Sequence, residues 1–182
     1  ATDFDSNSAT NPNGGSGGAI LQATAGTLSV TDGNFTNNTS ARAGGAIEVN
    51  SPDTITLTNG VYDANTTGTS PGNGGALHIT GPADSNITGA TFTNNVASRE
   101  GGALWNGSGT MTITDGIIDS NDAQGPAADD GGGGVFNNGG DLVITGNPMI
   151  INNTASGASG SGGGIFSLTP GTLSMDGITV AN

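Results

Sequence analysis

The chain has 182 residues, of which 32% are hydrophobic and 4% aromatic, so the core of an ordinary globular domain of this length would be thin. Fifteen acidic side chains against two basic ones give a formal net charge of −13, which argues against nucleic acid or an anionic membrane surface as a partner. The sequence has no cysteine and no apolar run long enough to cross a bilayer, so we expect neither a disulfide framework nor direct insertion into a membrane.

A phrase of two glycines, a small residue and an aliphatic residue occurs six times, at intervals of 27 to 31 residues. A fixed period of this size is typical of a solenoid, in which each coil buries its few apolar residues against its neighbours. We expect each glycine pair to form a sharp corner where stacked backbones leave little room for a β-carbon. The phrases begin at Gly17, Gly44, Gly74, Gly101, Gly132 and Gly162.

Short stretches of alternating apolar and polar residues follow each glycine phrase. In the period that begins at Gly44 they are residues 47–49 and 54–58, and Tyr62 follows a turn signal at residues 59–60. Such alternation is typical of strands with one buried face. The sequence therefore predicts three short strands in each coil.

A second phrase places an asparagine three positions after an aromatic or aliphatic residue. Its occurrences are Phe4/Asn7, Phe35/Asn38, Tyr62/Asn65, Phe92/Asn95, Ile118/Asn121 and Met149/Asn152. In stacked coils these residues would form an apolar column beside a ladder of asparagines, whose buried amides need partners from the backbone and from each other. We predict an all-β fold, a single-domain right-handed parallel β-helix over residues 1–182, with about six coils, no helices and a partial coil at each end.

The two phrases together resemble the Gly-Gly-Ala-Ile and Phe-x-x-Asn repeats of the chlamydial polymorphic outer membrane proteins. The chain also looks like the parallel β-helix repeats of large bacterial and archaeal surface proteins. The resemblance covers essentially the whole chain and implies an extracellular or cell-surface protein, of a kind that often acts as an adhesin or a structural stalk. Ile118 and Met149 replace the aromatic residue, and Gly134 and Gly164 replace the alanine. These departures alter the packing of the coils but not the class of fold.

Candidate catalytic residues are scarce. β-Helix enzymes that degrade acidic polysaccharides need clustered acids, or calcium with a basic residue, and the one adjacent acidic pair is Asp129 and Asp130. Arg42 and Arg99 lie far from that pair in the sequence, and surface ion pairs are the simpler interpretation for them. His78, the sole histidine, is expected at the surface without an orienting partner. We therefore predict a non-enzymatic protein, with a polysaccharide-degrading enzyme as a minor alternative.

The segment Asp119–Asp130 contains four aspartates, whose oxygens are ligands that calcium prefers. It has neither the spacing of an EF-hand nor the calcium-binding nonapeptide, so a solvated acidic loop is expected, with calcium as the alternative. We predict no cofactor and no metal site.

The residue after each aliphatic position of the glycine phrase is expected on the outward side of its strand. In the last three coils it is Trp105, Phe136 and Phe166, which predicts an exposed aromatic ladder that binds carbohydrate or a host surface. The competing interpretation is that these rings lie under loops or stack to stabilise neighbouring strands. Threonine arrays such as residues 27–31 and 54–58 also resemble those of ice-binding β-helices, but the array is broken, so ice binding is a minor alternative.

Sequons of the form Asn-x-Ser/Thr are frequent in the chain. Those of the asparagine ladder would be buried, so Asn34, Asn86 and Asn106 are the better candidates for glycosylation.

The sequence starts and stops within a coil, and neither end shows a capping helix or a charged edge strand. Two interpretations compete: a fragment of a longer surface stalk, or a subunit whose ends meet head to tail in a fibre. The leading prediction is a non-enzymatic extracellular structural or adhesive β-helix, and a carbohydrate- or host-surface-binding module is the alternative. The residues expected at a head-to-tail contact are Phe4, Asn7, Leu173, Met175 and Val180.

Overall fold

The computed structural model describes residues 1–11 and 13–182 and shows a parallel β-solenoid of about six turns, without a helix in that part of the chain. Strands of successive coils stack into four parallel sheets, which we number 1 to 4 in the order in which the chain first enters them. The predicted all-β solenoid is confirmed, but a complete coil has four strands rather than three. The additional strand has two residues and directly follows the ladder asparagine, so it is too short to show an alternating pattern.

Sheet 1 has seven strands and each of the others has six. Sheet 1 contains β1 (Thr2–Asp5), β5 (Gly33–Thr36), β9 (Val61–Asp63), β13 (Thr91–Thr93), β17 (Ile117–Asp119), β21 (Met149–Ile151) and β25 (Thr179–Ala181). Sheet 2 contains β2 (Ser8–Ala9), β6 (Thr39–Ser40), β10 (Thr66–Thr67), β14 (Val96–Ala97), β18 (Asp122–Ala123) and β22 (Thr154–Ala155). Sheet 3 contains β3 (Ile20–Gln22), β7 (Ile47–Val49), β11 (Leu77–Ile79), β15 (Leu104–Asn106), β19 (Val135–Asn137) and β23 (Ile165–Ser167). Sheet 4 contains β4 (Thr27–Thr31), β8 (Thr54–Thr58), β12 (Asp84–Thr88), β16 (Thr110–Thr114), β20 (Asp141–Thr145) and β24 (Leu173–Met175).

The core is a set of side-chain columns that run along the solenoid. In sheet 1, Phe4, Phe35, Tyr62 and Phe92 stack with their rings nearly parallel, and successive ring centroids are 4.4, 5.0 and 4.6 Å apart. Ile118 continues this column in the next coil, opposite Phe92. The inner faces of sheets 3 and 4 add buried aliphatic side chains, among them Ile47, Val49, Ile55, Leu57, Leu104 and Ile113. Because equivalent positions pair in every coil, the repeated sequence produces a continuous apolar interior.

The asparagines of the second phrase form a hydrogen-bonded ladder beside the aromatic column. The side-chain amide of Asn65 donates to Oδ1 of Asn95 and to the carbonyl of Phe35, in both cases at 2.9 Å. Its own Oδ1 accepts from the side-chain amide of Asn38 at 2.9 Å. Asn95 and Asn121 repeat this arrangement in the following coils. The predicted ladder is therefore confirmed, and its buried amides are bonded both to the backbone and to each other.

The last rung of the ladder differs from the sequence prediction by one residue. Asn153, and not Asn152, occupies it, donating to the carbonyl of Ile118 at 2.8 Å. Ile150 pairs with Ile118 in sheet 1, whereas Met149 is 41% exposed. One more residue separates β20 from β21 than separates β16 from β17, and three consecutive apolar residues conceal the shift in the sequence.

The glycine phrases form the corners that the sequence predicts. Gly44, the first glycine of its pair, has a φ of 60°, a left-handed conformation that favours glycine. A β-carbon on Gly45, the second glycine, would collide with the carbonyl oxygen of Gly75 in the next coil. The phrase therefore requires glycine at its first position for the backbone conformation and at its second for the close stacking of coils.

A further backbone ladder runs through the loops between sheets 2 and 3. The amide of Arg42 donates to the carbonyl of Gly15, and the carbonyl of Arg42 accepts from the amide of Gly72. Arg99 repeats this pattern in a later coil, between Gly72 and Gly125, and the four distances lie between 2.8 and 3.1 Å. The main chain at both arginines is thus fixed from the coils on either side.

We predict that Asn95→Ala lowers the free energy of unfolding by about 2–4 kcal/mol, because it removes the buried side-chain hydrogen bonds of Asn95 to Asn65, Tyr62 and Asn121. Urea unfolding followed by circular dichroism measures the change. Asn86→Ala on the exposed face of β12 is the matched control and should change the stability by less than about 0.5 kcal/mol. Equal effects of the two substitutions would contradict a stabilising role of the ladder.

Candidate functional site

The middle residues of the sheet 3 strands form a row on the face opposite the core. From the first coil to the last they are Leu21, Glu48, His78, Trp105, Phe136 and Phe166. Four of the six are buried, and Leu21 is 46% exposed. This row is consequently not an open sheet surface.

The predicted exposed aromatic ladder is wrong for two of its three rings. Trp105 is 6% exposed and Phe136 is 1% exposed, whereas Phe166 in the last coil is partly exposed. The rings stack on one another, with centroids 6.2 Å apart for Trp105 and Phe136 and 5.2 Å apart for Phe136 and Phe166. Such stacking removes the ring faces from solvent, as the competing interpretation predicted.

A groove lies between the outer row of sheet 3 and the loops that lead into it, and we call it the loop–sheet groove. Its volume is about 410 Å³. The loops contribute Ser16, Pro71 and Asn73, and the strands contribute Leu21, Glu48, His78 and Trp105. Arg42, Asn50 and Thr80 complete the polar part of the wall.

Glu48 and His78 form a buried pair in the groove wall. Oε2 of Glu48 lies 2.7 Å from Nδ1 of His78, and Oε1 accepts a hydrogen bond from the hydroxyl of Thr80 at 3.0 Å. The ring of Trp105 lies against the other face of the site, with its centroid 4.3 Å from that of His78. Both carboxylate oxygens are therefore engaged, and the histidine ring is held by a carboxylate on one side and an indole on the other.

The sequence prediction for His78 was wrong in two respects. His78 is 4% exposed rather than at the surface, and Glu48 is the orienting partner that the sequence prediction did not find. The two residues are 30 positions apart and pair directly in sheet 3. Reading the outward positions of successive coils as neighbours would have identified this contact from the sequence.

The two arginines have different environments. Nη2 of Arg99 lies 2.7 Å from Oδ1 of Asp130 and 3.8 Å from Oε1 of Glu100, which confirms the simple ion-pair interpretation for this residue. Arg42, in contrast, lies in the groove wall, and within the described residues it has no carboxylate within 4 Å and its Nε is buried without a partner. Arg42 is thus an arginine whose charge the fold itself does not neutralise.

The acidic groups near Arg99 have perturbed ionisation. Burial raises the pKa of Glu100, although the indole N–H of Trp105 donates to Oε2 of this carboxylate at 2.8 Å. Burial also acts to raise the pKa of Asp130, but hydrogen bonds from the Ala127 amide and from Arg99 outweigh it and hold that pKa below its ordinary value. Asp130 is therefore a charged, inward-facing anchor of its loop.

Three of the four aspartates of Asp119–Asp130 make side-chain hydrogen bonds, and each of the three has its own partners. Asp130 bonds to Arg99, whereas Asp119 accepts from Ser120 and Asn152, and Asp122 accepts from Gln124 and Ser156. Within the described residues, histidine and acidic side chains form no cluster of three or more suited to a metal ion.

The three candidate glycosylation residues lie in different environments. Asn106 is fully buried, and its amide donates to Oδ1 of Asn137 at 2.8 Å, so its prediction as an accessible acceptor is wrong. Asn86 is exposed on β12, and Asn34 is partly exposed and donates to Asp3. Asn106 pairs with Asn137 across strands β15 and β19. The sequon is a local pattern and contains no information on this contact with the next coil.

The residues predicted to assemble lie in the terminal coils. Leu173, Met175 and Val180 are 40%, 49% and 52% exposed. Phe4 is half-buried beneath Phe35, and together with Leu28 and Val30 it lines a recess at the first coil. Asn7 donates to Oδ1 of Asn38 and so forms the first rung of the ladder.

We predict that Arg99→Gln lowers the free energy of unfolding by about 1–2 kcal/mol at neutral pH, because Asp130 then remains buried without its cation. Since the folded-state pKa of Asp130 lies below its ordinary value of 3.8, its stabilising contribution is present above that pH and is lost as the pH falls further. The difference between wild type and variant should therefore shrink below pH 3.8 in urea unfolding. Arg42→Gln, which breaks no ion pair, is the control, and an equal loss in both variants would contradict the assignment.

Comparison with protein families identifies one matching repeat. Residues 32–50 and 89–107 each match the Chlamydia polymorphic membrane protein repeat. Each matched segment runs from a sheet 1 strand through the ladder asparagine and the glycine pair into sheet 3, and together they cover under a quarter of the chain. Searches of curated proteins and of solved structures give no significant match. Among the described residues there is no helix with the length and apolarity needed to cross a membrane. The solenoid thus contains two copies of a sequence similar to the Chlamydia polymorphic membrane protein repeat, as its glycine and asparagine phrases predict.

Proposed function

We propose that the chain is a non-enzymatic structural or adhesive solenoid displayed at the cell surface. The observation that carries the proposal is the match of two segments to the Chlamydia polymorphic membrane protein repeat. Each match contains both the corner glycines and the ladder asparagine, which are the features that hold one coil on the next.

The organisation of the solenoid supports a mechanical role. Side-chain columns, the asparagine ladder and four parallel sheets run through successive coils, so force along the axis is shared among many hydrogen bonds. The net charge of −13 favours solubility in an extracellular medium.

The chemistry of the groove supports a role without catalysis. Glu48 already accepts hydrogen bonds through both oxygens, so it is not a free general base. Retaining and inverting glycosidases use two carboxyl groups across the scissile bond, and Glu48 is the one acidic residue among those that line the groove. The wall is consequently suited to binding rather than to hydrolysis.

Surface display is tested with antibodies raised against the purified chain and applied to intact cells of the source organism. We expect labelling of intact cells, at a level that permeabilisation does not increase. An antibody against an abundant cytosolic protein serves as the control for cell integrity. Labelling that needs permeabilisation would contradict the proposal.

We further propose that a second copy of the chain stacks head to tail on the terminal coils. Leu173, Met175 and Val180 expose apolar surface at one end, and the recess lined by Phe4 and Leu28 exposes it at the other. Within the described residues, the first and last strands of each sheet pair on one side only, so their other edges offer main-chain donors and acceptors for such a contact. A heterologous contact of this kind propagates into a filament when it does not close.

Val180→Lys should abolish this association, because it places a charge in the apolar contact at the end of sheet 1. Sedimentation velocity should show wild-type chains associating as the protein concentration rises, and the variant remaining a monomer. Val61→Lys, on an exposed position of a central coil of the same sheet, is the matched control and should associate like the wild type. A wild-type chain that stays monomeric at every concentration would overturn head-to-tail stacking while leaving surface display untouched.

A further inference from the structure

We propose that the loop–sheet groove binds the terminal sugar of a glycan that carries a single carboxylate, and that Arg42 receives this carboxylate. The inference goes beyond the surface role proposed above and does not rest on it, because binding by the isolated protein is measured wherever the chain is displayed. The proposed sugar site is the loop–sheet groove around Arg42, and not the exposed aromatic ladder that the sequence predicted.

Arg42 is the cationic residue of the groove and the one that can receive an anion. It is half-buried in the groove wall, and no carboxylate of the described residues lies within 4 Å of it. Its Nε is buried without a partner, although a guanidinium offers five donors. In a chain with 15 acidic residues and two basic ones, an arginine without an acidic partner is unusual. The geometry of a guanidinium matches that of a carboxylate through two parallel hydrogen bonds, so a carboxylate is the ligand group that best completes this site.

Arg99 occupies the equivalent position in a later coil, where its charge is paired within the fold. Both arginines precede a glycine pair by two residues, and both are held in the loop backbone ladder. Arg99 has Asp130 at 2.7 Å, and this aspartate is 1% exposed. Asp130 precedes the glycine pair of the next coil by two residues, whereas the corresponding residue in the coil after Arg42 is Gly72, which has no carboxylate to offer.

Glu48 is the acidic residue that lines the groove, and it forms no ion pair with Arg42. Its Oε2 lies 2.7 Å from Nδ1 of His78 and its Oε1 accepts from the hydroxyl of Thr80, so both carboxylate oxygens are bonded within the groove wall. The remaining polar groups of the wall, Ser16, Asn50 and Asn73, are neutral. An anion at Arg42 therefore meets the hydrogen-bonded carboxylate of Glu48 and otherwise neutral groups in the lining, while the carboxylate of Glu100 adjoins the wall and accepts from Asn73 at 3.1 Å and from Trp105 at 2.8 Å.

The rest of the wall fits a hydroxyl-rich ring better than a peptide. Leu21, which is 46% exposed, supplies apolar surface for the carbon face of a sugar, and Trp105, which is 6% exposed, lines the same groove. Asn73 is 93% buried in the wall, its Nδ2 donates to Glu100 at 3.1 Å, and its Oδ1 has no partner within the described residues, which leaves an acceptor for a sugar hydroxyl. The volume of about 410 Å³ falls in the usual range for a small-molecule site and holds a terminal sugar rather than a long chain.

The charge of the whole chain restricts the ligand to few carboxylates. A net charge of −13 repels a polyanionic polysaccharide along the length of the solenoid. A glycan end with one acidic sugar experiences little of this repulsion and still pairs with Arg42. We therefore expect discrimination in favour of a monoanionic terminal sugar over both a neutral sugar and a polyuronate.

The test uses the purified chain and the fluorescence of its single tryptophan, Trp105, which lies in the groove. The probes are the methyl glycosides of glucuronic acid and of N-acetylneuraminic acid, with methyl glucoside as the neutral match of the glucuronide. We expect at least one acidic probe to bind at least about tenfold more tightly than the glucoside, the ratio that about 1.4 kcal/mol corresponds to. Arg42→Gln should remove this preference, and Arg42→Lys should retain part of it because the charge remains without the planar fork.

Arg99→Gln is the control for a general effect of lost positive charge and should leave the dissociation constant within about twofold, because its guanidinium pairs with Asp130 in the fold. Unfolding midpoints of all variants show whether they are folded, and two-dimensional NMR provides a second binding measurement that does not depend on Trp105. The inference is overturned if neither acidic probe binds more tightly than methyl glucoside. It is equally overturned if Arg42→Gln and wild type show the same preference. Neither result bears on surface labelling, so the two proposals fail separately.

Discussion

The hydrogen bonds of the buried asparagine ladder are the interaction on which the rest of this solenoid depends. A buried polar group without a partner costs about 1–3 kcal/mol, so each coil is stable in the position where its asparagine meets those above and below. Asn65, for example, is bonded to Asn38, to Asn95 and to the carbonyl of Phe35. A coil displaced by one residue would lose all three bonds, and the ladder therefore fixes the register of the adjoining aromatic column and sheets.

Fixed register brings together residues that are one coil apart in sequence. Glu48 meets His78 across 30 positions, and Arg99 meets Asp130 across 31. Each pair follows from equivalent places in successive coils rather than from local structure. In such a fold a site is built along the axis, with one residue from each coil. The loops between sheets 2 and 3 cover some of these residues and leave others in contact with solvent.

The period and the two phrases were enough to predict the solenoid, because they record backbone requirements that repeat in every coil. Four features escaped prediction for physical reasons. The strands of sheet 2 have two residues and no alternation, and the apolar run at 149–151 gives no unique inward position, which placed Asn152 instead of Asn153 in the ladder. Burial of Trp105 depends on its neighbours in adjacent coils and on the nearby loops, whose conformations a single strand pattern does not contain. His78 illustrates the same limit, since its partner lies in another coil.

The backbone ladder in the loops between sheets 2 and 3 has a consequence for the resistance of the folded chain to proteases. Proteases that cleave after basic residues require lysine or arginine, and this sequence offers Arg42 and Arg99 alone. Both arginines have their amide and carbonyl groups bonded to adjacent coils, so the backbone must first detach from two neighbours before it can enter an extended protease cleft. The scarcity of positive charge and the fixed main chain at the remaining arginines together make the folded solenoid a poor substrate for trypsin-like enzymes.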